Sequence, residues 1–159
     1  MTQDDPARVV SQVVRTVLDR WIARGDAAHA RDVNHAGGGG CCVDFADEVL
    51  AELPQTLVQC SDVFDFGLVN VLAPGPDGCA GEIPGSPFDR TLLARHWPDC
   101  VPPQGLSWDN LDRASAANGF DARSHYWVVC DGTHFDAECP EGTRNLFDLP
   151  WMRRALGLA

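Results

Sequence analysis

The chain has 159 residues, 45% of them apolar and 22% charged, with a formal net charge of −11 at pH 7. That length suits one domain with a real core, and no apolar run approaches the ~18 residues of a membrane span. An acidic balance, with all twelve basic residues arginine, argues against a nucleic-acid or anionic-membrane partner.

The opening Met1-Thr2-Gln3-Asp4-Asp5 lacks the basic and apolar regions of a cleaved signal. The expected location is the cytoplasm, with secretion by a route without a cleaved signal left open. Residues 4–24 read as a helix. Asp4 or Asp5 caps it, Pro6 opens it and Gly25 ends it. Its broad apolar stripe runs through Val9, Val10, Val13, Val14, Val17, Leu18, Trp21 and Ile22. Residues 26–40 read as a loop, with Asn34 and His35 placed to line a site or to donate to an oxyanion, or simply to lie on a polar surface.

Gly37-Gly38-Gly39-Gly40 cannot hold a regular element against their backbone entropy. After them Cys42, Phe45, Ala46, Val49, Leu50 and Leu53 fall at helical spacing until Pro54. A thiol therefore opens a buried helix behind a loop. The unpaired N–H groups of a helix start favour a thiolate and can hold an oxyanion. Cys41 competes as nucleophile, turned by about 100° from Cys42. Cys42 is preferred because Phe45, Ala46 and Val49 share its inward face.

Residues 56–64 are rich in β-formers and predict a strand. Residues 67–86 are thick with Gly and Pro and read as irregular surface chain, a candidate flap. Two short helices follow, one after Ser86-Pro87 and one after Ser107. The seven cysteines include no CxxC pair, which argues against a zinc ribbon or a thioredoxin-type motif. Most read as small buried hydrophobes. A zinc site built from Cys41, Cys42 and His125 is disfavoured, since closed sites use spaced ligands. No metal or cofactor is expected.

From Phe120 the period changes to two. Ser124–Cys130 reads as a central strand, Asp131-Gly132 as a tight hairpin turn, and Thr133–Glu138 as the return strand, closed by Pro140 and Gly142. Pro150 then opens a last short helix, Trp151 to Leu156. A two-residue turn puts Cys130 opposite Thr133, Val129 opposite His134, Trp127 opposite Asp136 and His125 opposite Glu138. Alternation places His125, Trp127, Val129, His134, Asp136 and Glu138 on one face. Either carboxylate can then reach the His125 ring, and His134 is the competing base. Cys42, His125 and Asp136 have the residue types of a nucleophile, a base and an orienter, in that chain order.

These residues resemble the papain-like cysteine hydrolase superfamily, in its transglutaminase-like and bacterial cell-wall peptidase-like branches. Cys42-Val43-Asp44-Phe45-Ala46 looks like the Cys-Arg-Asp-Phe-Ala string that opens the catalytic helix of transglutaminase-like domains. His125-Tyr126-Trp127-Val128 looks like the His-x-Trp-Val strand of the same families, and Asp136 falls on the next strand. The resemblance covers roughly 42–53 and 124–139. It implies a single α+β domain over 1–159, with N-terminal helices packed on a small antiparallel sheet and the nucleophile at a helix start. It also implies thiol-dependent hydrolysis or transfer at an amide or acyl group, on a protein or peptide-like substrate. The alternative is a catalytically inactive domain of this kind that binds proteins.

Overall fold

The computed structural model describes residues 5–34, 41–58, 61–66, 73–74, 80–81, 98–105, 117 and 125–158. Helix α1, Pro6–Arg24, starts as its capping residues dictate: Asp5 Oδ1 accepts from the Ala7 N–H at 3.2 Å. It stops at Gly25, whose φ of 80° is the left-handed cap. Val10, Val14, Val17 and Trp21 are its buried stripe.

The stretch read as a loop after α1 contains one helical turn, α2, Ala30–Val33. The Asp32 carboxylate makes that turn. It accepts from the backbone N–H groups of Ala28 (2.9 Å) and His29 (3.0 Å) and so satisfies donors at the helix start. The glycine run and His35 lie outside the described residues.

Helix α3, Cys41–Glu52, buries Cys42, Phe45, Ala46 and Val49. Its packing on α1 includes an edge-to-face contact of Trp21 and Phe45, with centroids 5.5 Å apart. The Trp21 indole N–H donates to Glu48 at 2.7 Å, and Arg20 ties to Glu48 and Glu52. Pro54 stops α3 but does not lead straight into a strand. Its carbonyl accepts from the Leu57 N–H at 2.8 Å, within a short helix α4, Gln55–Val58. The expected strand is displaced to β1, Ser61–Phe66.

A two-residue pairing of β2, Ala73–Pro74, with β3, Ala80–Gly81, is described within the Gly/Pro-rich stretch. The flap as a whole and the helices expected after Ser86 and Ser107 lie outside the described residues.

The main sheet is antiparallel, with strand order β1-β4-β5-β6. Strand β4, His125–Cys130, pairs with β1 along its whole length, from Ser61 opposite Cys130 to Phe66 opposite His125. On its other side β4 pairs with β5, Thr133–Asp136, in the expected register: Cys130 with Thr133, Val129 with His134. Asp131 and Gly132 take φ of 48° and 68°, both positive, as a type I′ turn requires.

The return strand is shorter than expected. It ends at Asp136, and residues 137–138 turn the chain into a further strand, β6, Cys139–Thr143. Pro140 and Gly142 therefore belong to a strand and do not close the sheet. β6 is an edge strand, where a residue without an N–H is tolerated. A 3₁₀ turn, Leu146–Asp148, leads into helix α5, Pro150–Ala155.

Two cores sit on opposite faces of the sheet. Val128, Cys130, Phe135 and Ala137 join the buried faces of α1 and α3. Trp127 and Val129 join Leu146, Phe147, Leu149, Trp151, Met152 and Ala155 from the C-terminal segment. The architecture is α+β, with helices on a small antiparallel sheet.

Candidate active site

Strand alternation sends His125 to the same face as Trp127, where α5 covers it. Its ring is fully buried and stacked on Trp151, with centroids 4.4 Å apart and planes 14° apart. His125 Nε2 lies 3.1 Å from Asp136 Oδ2. The other ring nitrogen, Nδ1, is buried and makes no protein hydrogen bond of ordinary geometry. With Nε2 taken by Asp136, Nδ1 is the nitrogen left for a thiol.

Cys42 is a thiol that bears on this ring. Burial pushes the imidazole's proton affinity down, but the hydrogen bond to Asp136 and the influence of the Cys42 side chain, both favouring the charged ring, outweigh it. The net result is a His125 pKa above the ordinary 6.5. Cys42, His125 and Asp136 are 5%, 0% and 3% exposed, so the group is nearly closed to water.

Asp136 is held in place by the turn that follows it. Its Oδ1 accepts from the backbone N–H groups of Glu138 (2.9 Å) and Cys139 (2.8 Å), which leaves Oδ2 for His125. The same turn explains why Glu138 does not stand opposite His125, contrary to the expected register. Its carboxylate is taken by Arg154, through two bonds of 2.6 Å, and accepts from Asn34 Nδ2 at 3.1 Å. Asn34 is buried, with its amide directed to Glu138.

Cys41, the competing nucleophile, is half-buried and packs against the α1/α3 core. His134, the competing base, is engaged elsewhere. The Trp127 indole N–H donates to its Nδ1 at 3.0 Å, so Nδ1 is an acceptor and the proton of the neutral ring is on Nε2. Nε2 faces Cys100 Sγ at 3.4 Å. Cys100 in turn accepts from the Leu146 N–H and donates to the Arg144 carbonyl.

This second cysteine–histidine pair was not visible in the sequence, where Cys100 and His134 stand 34 positions apart in different motifs. Its electrostatics are opposite to those of the first. Burial, with the nearby Arg144 charge, pushes His134 down to about 3, and burial pushes the Cys100 thiol up to about 11. A neutral ring beside a protonated thiol is a packing arrangement. Cys139 is inert for the same reason: burial, with Asp136 and Glu141 beside it, pushes its thiol up to about 12.

Trp151 and Arg154 also belong to this neighbourhood, and neither stands out in the sequence as a site residue. Their spacing of three puts both on one face of α5, which is the signal that was available. Among the described residues no group of three or more His, Cys, Asp or Glu side chains is arranged to hold a metal ion. The chain matches no family model, no curated protein and no solved structure.

Proposed function

We propose that this chain is a thiol-dependent hydrolase or acyl/amide transferase of papain-like type, with Cys42 as nucleophile, His125 as base and Asp136 as orienter. The observation that carries the reading is the shared imidazole. Asp136 takes one nitrogen at 3.1 Å, and the Cys42 side chain acts on the same ring. A nucleophile within reach of a base that a third group orients is the arrangement covalent catalysis requires.

In this mechanism Cys42 passes its proton to His125 as Sγ attacks the substrate carbonyl carbon. Backbone N–H groups at the start of α3 hold the oxyanion. The tetrahedral intermediate collapses, and His125 gives its proton to the departing amine or alcohol. Water or an acceptor amine then attacks the thioester and loses its proton to His125. The C–S bond breaks, and Cys42 recovers its proton. Asp136 keeps the ring in one tautomer and stabilises the imidazolium. The substrate class is an amide or acyl carbonyl on a protein or peptide-like molecule.

The second reading is a catalytically inactive domain that binds proteins. The observation favouring it is the near-complete burial of all three side chains. Alkylation followed by mass spectrometry across pH separates the two. The catalytic reading expects Cys42 to react fastest near neutral pH and to lose that advantage in His125→Ala. A Cys42 no faster than the other cysteines, or indifferent to His125→Ala, leaves the binding reading in its place.

A further inference from the structure

The geometry points to Arg154 of α5 as a positioning residue for the base, acting through Glu138 on the turn that holds Asp136. This inference rests on the catalytic reading of Cys42, His125 and Asp136. Arg154 makes a two-pronged contact with Glu138, NH1 to Oε2 and NH2 to Oε1, both at 2.6 Å. The pair is largely shielded, with side chains 23% and 11% exposed. Asn34 adds a third bond to the same carboxylate from the end of α2.

Glu138 is one of the two residues whose backbone N–H groups fix Asp136 Oδ1. Clamping its side chain therefore fixes the N–H that aims the orienting carboxylate. Through Trp151, three residues earlier, α5 also stacks on the His125 ring. One short helix thus holds the base by its face and the orienter through its turn. A planar guanidinium suits this task, because its fork sets direction as well as charge.

Among the described residues, Asp136 from β5 and Cys42 from α3 bear electrostatically on His125, while α5 presents the uncharged Trp151 ring to it. Arg154 therefore acts by geometry, and its loss registers at His125 only through Asp136.

The test is the His125 titration, followed by NMR on the full-length chain as wild type, Arg154→Gln, Asp136→Asn and the double variant. Arg154→Gln is expected to lower the midpoint by about one pH unit, toward the Asp136→Asn value. It is expected to add nothing in the Asp136→Asn background. An unchanged midpoint in Arg154→Gln, or shifts that add in the double variant, overturns the inference. Arg154→Lys retains the charge without the fork and is expected to restore less than half of the shift; full restoration overturns the geometric role.

Should Arg154→Gln not fold, Glu138→Gln keeps the side chain's shape and one prong of the contact. It is expected to move the midpoint in the same direction by a smaller amount, and no movement overturns the inference. A purely structural role would lower the melting temperature and leave the titration in place. Cys42 alkylation in the wild type tests the catalytic reading separately, so failure of one is distinguishable from failure of the other.

Discussion

His125 and His134 lie on one face of one hairpin, both are fully buried, and their proton affinities move in opposite directions. The difference comes from partners. His125 faces the Asp136 carboxylate, and the Cys42 side chain also favours its charged form, whereas His134 accepts from an indole and faces a protonated thiol. The signs of their linkage to stability follow. His125 has a raised folded value, so its contribution is complete below the unfolded value near 6.5 and fades as pH rises through the folded one. His134 has a folded value of about 3, so the unfolded chain takes up its proton first on acidification. Its contribution is complete above about 6.5 and is lost as pH falls toward 3. In that window the wild type loses up to about 1.4 kcal/mol per pH unit from this group alone. His134→Asn keeps an acceptor for Trp127 and removes the titration. At pH 7.5 it should cost about 1–3 kcal/mol through the impaired buried bonding. Urea melts should show that gap closing as pH falls from 6.5 to 4, and a gap independent of pH would contradict the assignment of a neutral, buried His134.

At the level of elements, the last hairpin depends on one glycine. Gly142 has a φ of 77°, and a Cβ there would meet the Phe135 ring and lie 2.7 Å from Thr133 Cγ2. The ladder between β5 and β6 is irregular between His134 and Asp136, so the crowding lies beside the strand that carries Asp136. Gly142→Ala should cost about 2–5 kcal/mol, combining left-handed strain with overpacking. Gly25→Ala, equally left-handed at φ 80° but with nothing within 4 Å, should cost about 1–2 kcal/mol. Similar losses in the two variants, read by thermal melts, would remove the packing argument. This contrast also marks what was legible beforehand. Helices α1 and α3 and the β4–β5 hairpin have local signals: an Asp-Pro start, a 3.6-residue stripe and an Asp-Gly turn. β6 has the sequence Cys-Pro-Glu-Gly-Thr, which carries two β-breakers and is a strand only because it is an edge pinned by Asp136. Helix α4 carries no separate signal, and the strand expected over 56–64 starts later, at Ser61, because Pro54 ends one helix and, one residue on, begins another turn. Glu138 was misplaced because alternation was extended past a turn that the Asp136 side chain itself creates.

For the whole molecule, the candidate site is a product of long-range assembly. Cys42 comes from the helical first third, whereas His125 and Asp136 come from the last third. The sheet that carries the latter pair separates two cores, with α1 and α3 on one face and the C-terminal segment on the other. Neither core alone builds the site. The first positions α3 and hence Cys42; the second supplies Trp151 against His125 and Arg154 against Glu138. The two cores also share strand β4, since Val128 and Cys130 serve one and Trp127 and Val129 the other. Loss of either core should therefore unpack the opposite face of the same strand, and the molecule should unfold in one step. The proposed pairing of Cys42 with His125 then becomes a reporter of global folding. In a urea series at pH 7, any rate advantage of Cys42 alkylation over the unfolded chain should vanish with the same midpoint as the far-UV circular dichroism signal. Modification of the buried Cys100 and Cys130 should rise over the same range. If the Cys42 advantage disappears at clearly lower urea while Cys100 stays protected, α3 docks as a separate unit, and the two faces of β4 are not coupled as this packing requires.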